Sequence, residues 1–198
     1  RNFVITNELK TAELSFLKAQ INPHFLFNIL GCINGLALTK SHQTACAIEN
    51  FNQLIQASSK MKSGIKIDLN DEMNFLKNYI NLQKMRYSVP VDTEFPESVN
   101  INLSIEPLLI LPLIEHVFKY GDVSDEGYIL IKFSIKNKNI TISVRNMTTR
   151  TNSEKDLGKN LDILKRRLAI TYPKRFELSK RQYTDNFITT LNLTLDAK

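Results

Sequence analysis

The sequence is poor in sulfur and has no long apolar run, and each shortage removes a class of protein. Cys32 and Cys46 are its two cysteines, set in helix-like sequence without a CxxC pair or a Cys/His cluster, so neither a disulfide framework nor a zinc site is readable and both thiols are expected to be reduced. The longest apolar stretch, 108–118, is broken by Pro112, Glu115 and His116 and falls well short of the ~20 residues a membrane helix needs. No charged start followed by a short apolar core marks a signal peptide, and a chain opening on Arg1 reads as a segment of something longer. Internal repeats and low-complexity tracts are also missing. What remains is 198 residues, 42% of them hydrophobic, enough to bury a sizeable core as one large domain or as a domain with a helical appendage. The net charge of +6 raises the question of an anionic partner. Yet the basic clusters 165–167, 174–175 and 180–181 have no aromatic interleaving of the kind a single-strand-binding surface uses, so no nucleic-acid partner is expected.

From about Glu8 to Leu38, Leu14, Leu17, Ile21, Phe25, Ile29, Ile33 and Leu36 recur at steps of three and four, which predicts a long amphipathic helix. A second helical pattern runs from about Ser41 to Met61, so the two are expected to form an antiparallel hairpin, and two hairpins would make a four-helix bundle. Gly64 ends that unit. Asp68 is placed to cap a third helix reaching about Tyr87, and Pro90 closes it. Thereafter the period changes from about 3.6 to 2. Strands are expected over 91–95, 99–105, 128–136, 140–146, 176–183 and 187–195, with hairpin-turn composition at 137–139 and helices from Pro107 to about Tyr120 and from Leu161 to Tyr172. Helices alternating with mostly antiparallel strands argue for an α+β sandwich, helices on one face of a mixed sheet. The expected division is a helical region over 1–65 and an α/β sandwich over 66–198.

One local conflict stands out. Pro23 lies inside the first helical pattern, where a proline costs roughly 3 kcal/mol. Directly after it comes His24, with Asn28 four residues on, a spacing that puts both on one helix face. A neutral imidazole is a good nitrogen nucleophile, and histidine keeps that form populated near neutral pH.

The run Ala19-Gln20-Ile21-Asn22-Pro23-His24-Phe25-Leu26-Phe27-Asn28 resembles the phospho-acceptor box of the LytS/YehU-type sensor histidine kinases, QINPHFLFN. Three further stretches resemble boxes of the same family in the same order. Residues 72–87, with Tyr79-Ile80, Leu82-Gln83 and Arg86-Tyr87, resemble its L-x-x-Y-I-x-L-x-x-x-R-[FY] helix. Residues 107–121, PLLILPLIEHVFKYG, resemble its P-x-L-L-Q-P-L-V-E-N-A-I-K-H-G nucleotide box, and residues 157–168, LGKNLDILKRRL, its G-I-G-L-x-N-V-x-x-R-L box.

The resemblance implies a dimeric helical bundle carrying the histidine and an ATP-binding sandwich of the GHKL, or Bergerat, type. It implies ATP with Mg²⁺, transfer of the γ-phosphoryl group to His24, and an aspartate of a response regulator as the next acceptor, in the cytoplasmic part of a bacterial inner-membrane protein whose membrane segments lie outside this chain. Carried over residue by residue, the acceptor site is His24 with Asn28 and Glu115. The nucleotide site is His116, Lys119, Tyr120, Gly121, Asn146, Gly158, Asn160, Leu161 and Arg167. Departures cluster in the nucleotide boxes. His116 stands where the family has its Mg²⁺-holding asparagine, Tyr120 where it has histidine, Leu111 where it has glutamine and Ile163 where it has asparagine. Asn146 takes the place of the adenine-reading aspartate, and Asn160 that of a phosphate-loop glycine. Imidazole suits softer metals than Mg²⁺, so the alternative expectation is a pseudokinase or signalling scaffold with impaired ATP binding.

Overall fold

The computed structural model describes residues 23–60, 66–87, 89–97, 102–124, 126–147 and 159–197. Two helices come first, α1 (Pro23–Leu38) and α2 (Thr44–Lys60). Helix α1 closes in a Schellman arrangement: Ser41 N–H donates to the Leu36 carbonyl at 2.9 Å and Lys40 N–H to Ala37 at 3.0 Å. Lys40 takes the left-handed position at φ 51°, where glycine is the usual occupant. The expected hairpin is therefore present from Pro23 onward. The reading of Pro23 as a kink within a longer helix rests on residues before 23, which lie outside the described ones.

The chain continues through strand β1 (Ile67–Asp68) into helix α3 (Leu69–Arg86). Asp68 caps that helix as its sequence predicts, its carboxylate accepting from Asn70 N–H at 2.9 Å. Asp71 and Glu72 in the first turn and Lys84 and Arg86 in the last complement the helix dipole. Then come β2 (Val91–Glu94), β3 (Leu103–Ile105), α4 (Leu111–Tyr120), β4 (Ile129–Lys136), β5 (Asn139–Met147), α5 (Lys159–Thr171), β6 (Phe176–Gln182), β7 (Asn186–Thr194) and β8 (Asp196–Ala197).

The main sheet has five strands in the order β2-β4-β5-β7-β6, and a small second sheet runs β1-β3-β8. Among the described residues only β2–β4 is parallel and every other pairing is antiparallel, so the mixed, largely antiparallel sheet read from the sequence is what forms. Lys136 pairs with Asn139, leaving Asn137 and Lys138 as a two-residue turn with Asn137 at φ 56°, a conformation asparagine tolerates better than most residues. Along β5 and β7, residues 140, 142 and 144 and residues 187, 189, 191 and 193 point inward and their neighbours outward. On the inward face Ile131, Ile142 and Leu191 share one core with Leu76 of α3, Ile114 of α4 and Leu164 and Leu168 of α5. Each such burial contributes ~1.5–3 kcal/mol. The result is helices on one face of the sheet, the α+β architecture expected.

The helical hairpin packs on α3. Ile29 and Leu54 are fully buried and belong to the same core, and the Cys32 thiol donates to the Met85 carbonyl at 3.6 Å. Its other side leaves large apolar side chains in water, with Phe27 at 72% and Leu38 at 78% exposure.

One expectation is corrected. Pro107 does not open a helix: residues 107–110 form turns and α4 begins at Leu111, with Pro112 in its first turn. The reason lies in two distant side chains. The buried Glu72 carboxylate accepts from Leu108 N–H at 2.9 Å and Ile110 N–H at 3.2 Å. The Arg167 guanidinium donates to the Leu108 and Pro107 carbonyls at 2.6 and 2.7 Å. These bonds hold Leu108 at φ 53°, which costs a non-glycine residue roughly 1–2 kcal/mol.

Candidate functional site

The second half of α4 places Glu115, His116, Lys119 and Tyr120 on successive turns, and the helix ends at Gly121, whose N–H donates to the Val117 carbonyl at 2.8 Å. Asp122 N–H then donates to the Met147 carbonyl at 2.9 Å, which pins the helix end to the end of β5. There Asn146 points inward, buried, and its amide donates to the Met147 carbonyl at 3.0 Å. The approach is close enough to require glycine at 121. A Cβ there would lie 2.5 Å from the Val117 oxygen and 3.1 Å from Asn146 Nδ2.

His116, 5% exposed, meets the Tyr120 ring at 4.9 Å between centroids, and its Nδ1 has no hydrogen-bond partner. Burial, with Lys180 and Lys119 nearby, lowers its pKa from 6.5 to about 4, so the ring is neutral at physiological pH. Lys119 Nζ sits 5.0 Å from the Tyr120 ring centroid and Lys180 Nζ 4.4 Å from that of Phe187, while Tyr120 and Phe187 pack together. Lys180 and Thr189 are paired on β6 and β7. Thr189 is a diagonal neighbour of Asn146 on the same inward face, since Asn146 pairs with Phe187 and Val144 with Thr189.

Of the residues expected at a nucleotide site, the structure thus gathers His116, Lys119, Tyr120, Gly121 and Asn146. Glu115 is directed otherwise: it is coupled to Tyr79 of α3, and burial raises its pKa from 4.5 to about 7 against the pull of Lys119. Arg167 does not join the group. It is 2% exposed, with both terminal nitrogens on loop carbonyls, so the expectation that it contacts nucleotide is replaced by a structural role. Leu161 contributes its side chain to the core. Gly158 and the side chains of His24, Asn28 and Asn160 lie outside the described residues. Lys180, Thr189 and Phe187 were not foreseen. A signal existed for Thr189, the one polar residue in the inward row 187, 189, 191, 193 and 195, but β6 loses its apolar alternation at Lys180 and gives none.

ATP and Mg²⁺ fare differently against these residues. Two aromatic rings beside an amide and a hydroxyl suit a purine, which offers a face to stack on and an edge to hydrogen-bond. Two ammonium groups at the rim suit a polyphosphate. Mg²⁺ does not fit: it asks for oxygen ligands, whereas the position offers a nitrogen, two lysines add like charge, and Glu115 holds its proton up to about pH 7. Among the described residues no three His, Cys, Asp or Glu side chains converge as a metal site.

The sequence model of the histidine kinase family matches residues 12–90. The chain is similar to the sensor histidine kinase YpdA of Escherichia coli, 28% identical over 68% of this chain and 24% of that protein. It is similar to the sensor protein kinase HptS of Staphylococcus aureus, 24% identical over 69% of this chain and 26% of that protein. YwpD of Bacillus subtilis is 27% identical over 67% of this chain. The chain spans about half the length of YwpD and about a quarter of the two sensor kinases. In fold it resembles the histidine kinase domain of a blue-light-activated kinase from Erythrobacter litoralis, with TM-score 0.50 and 9% identity over 86% of this chain and 95% of that one. A bacterial phosphotransferase gives TM-score 0.50 and 11% identity over 92% and 95%. A family match across the acceptor-box region and relatives that are sensor kinases agree that the chain is similar to the histidine kinases, and its fold resembles that of a histidine kinase domain.

Proposed function

We propose that this chain is the core of a two-component sensor histidine kinase that phosphorylates itself on His24 from ATP and passes the phosphoryl group to an aspartate of a response-regulator receiver domain. The observation that carries this reading is the convergence of Lys119, Tyr120 and Gly121 of the nucleotide box with Asn146 of β5, which stands in the place of the adenine-reading aspartate, at one corner of the sandwich in a chain that also holds the acceptor box. ATP supplies the phosphoryl group. Asn146 and Thr189 orient its base, Lys119 and Lys180 hold its charged tail, and His24 offers a ring nitrogen as nucleophile. A P–N bond forms as the bond from the γ-phosphorus to its bridging oxygen breaks, and ADP leaves. The exposed Phe27, Leu30 and Leu38 of α1 and Ile48 and Ile55 of α2 support a second copy of the hairpin as the partner that completes a four-helix bundle. No described helix is long and apolar enough to cross a membrane.

Incubation of the purified protein with γ-labelled ATP tests the reading. Label should appear on the wild type and be absent from His24→Ala; label that survives the substitution refutes His24 as acceptor. His116 favours a second reading, a pseudokinase that relays signals through its dimer or receives phosphate at His24 from another kinase, because it removes the Mg²⁺ ligand. Under that reading the wild type stays unlabelled by its own ATP yet accepts label at His24 from a second, active kinase.

A further inference from the structure

Phosphoryl transfer places three or four negative charges in one small volume, and a metal ion ordinarily offsets them. Here the position that would hold the ion is filled by an imidazole ring packed on Tyr120, and two positive side chains lie near it. Lys119 reaches the corner from α4, over the Tyr120 ring. Lys180 reaches it from the edge strand β6, over the Phe187 ring, from the inward-facing pair with Thr189. The two aromatic rings touch each other, so the ammonium groups are carried on one continuous aromatic floor. They come from elements 61 residues apart, Lys180 less Lys119, and only the fold unites them.

We propose that this corner binds the polyphosphate of a nucleotide without a protein-held divalent metal, the ammonium groups of Lys180 and Lys119 supplying the neutralising charge. The inference rests on the nucleotide-pocket reading above and adds to it how the charge is met. Lysine is a compact point charge with three donors on a flexible stem, suited to a phosphate chain. A divalent cation would have to enter beside two like charges, and the buried imidazole is the ligand it would meet. The neutral state of His116 under the influence of both lysines agrees with a positive local potential.

The test is titration of the whole chain with the non-hydrolysable analogue AMP-PNP, by calorimetry, in EDTA and in excess Mg²⁺. Affinities in the two buffers should agree within about threefold, and Lys180→Met should weaken binding in EDTA by about tenfold. Lys180 lies exposed on an edge strand, so the substitution leaves the core intact; Lys119→Met, also exposed, should weaken binding in the same direction. His116→Asn should restore a metal requirement, with Mg²⁺ tightening binding at least several-fold. Binding seen in Mg²⁺ and lost in EDTA overturns the proposal while leaving the pocket reading intact, as does unchanged affinity in both lysine variants. Absence of binding in both buffers overturns the pocket reading itself.

Discussion

At the N-terminal end of α4 a buried carboxylate and a buried guanidinium bond the loop 106–110, whereas at its C-terminal end His116 keeps an unbonded ring nitrogen beside two lysines. Both ends bury polar groups, but the first spends them on backbone that would otherwise be unsatisfied. Glu72 and Arg167 reach the loop from different helices and fix the entry to α4. The second end commits Asn146 to one carbonyl and ties Asp122 to β5 while holding charge at a rim of aromatic rings. Buried polarity that serves the backbone marks architecture, and a buried ring nitrogen left without a partner beside two lysines marks a place for a ligand. The same helix therefore joins a fixed end to a receptive one, and the fixed end gives the receptive one its position.

Removing the fixed end should have the largest effect. Glu72→Ala leaves two loop amides without their acceptor and Arg167 without its buried counter-charge, and is expected to cost about 3–5 kcal/mol in urea denaturation. A loss under about 1 kcal/mol would mean the staple is not what holds the loop. Next is Gly121→Ala, which sets a methyl 2.5 Å from the Val117 oxygen and against Asn146. A cost of about 1–3 kcal/mol is expected, together with weakened nucleotide binding, because the methyl displaces Asn146; retained affinity would place the base elsewhere.

The smallest effect is a pH slope. The folded-state pKa of Glu115 is raised from 4.5 to about 7, so the fold keeps this proton longer than the unfolded chain does. Its contribution is fully present below about pH 4.5 and is lost as pH rises through 7. Against Glu115→Gln, the wild type should therefore lose about 1–2 kcal/mol between pH 4.5 and 8, read from denaturation midpoints. Parallel curves for the two proteins would show that Glu115 is not buried as the structure has it.

How much of this the sequence discloses depends on the range of the interaction. The Asp68 cap, the turn at 137–138 and the period-2 strands are legible because their causes lie within a few residues. Loop 107–110 is misread as helix because its conformation is imposed from 36 and 59 residues away. The two-residue strands β1 and β8 are too short to show a period. Among site residues, Lys119, Tyr120 and Gly121 are found through box resemblance, and Asn146 as the counterpart of the adenine-reading aspartate. Arg167 is misassigned by the same means, since a box does not say which of its positions face inward. Lys180 belongs to no box and becomes visible only through the register of β6 and β7, whereas Thr189, also outside the boxes, is signalled as the one polar residue of its inward row.

The receptive end is tested most directly by backbone amide NMR of the isotopically labelled protein during AMP-PNP titration. Shifts are expected at residues 115–122, around Asn146, and at 180 and 187–189, with little change at 106–110 and on the outer sheet face around Lys136, Thr141 and Asn192. Saturable shifts confined to that outer face, with the α4–β5 corner silent, would contradict the account.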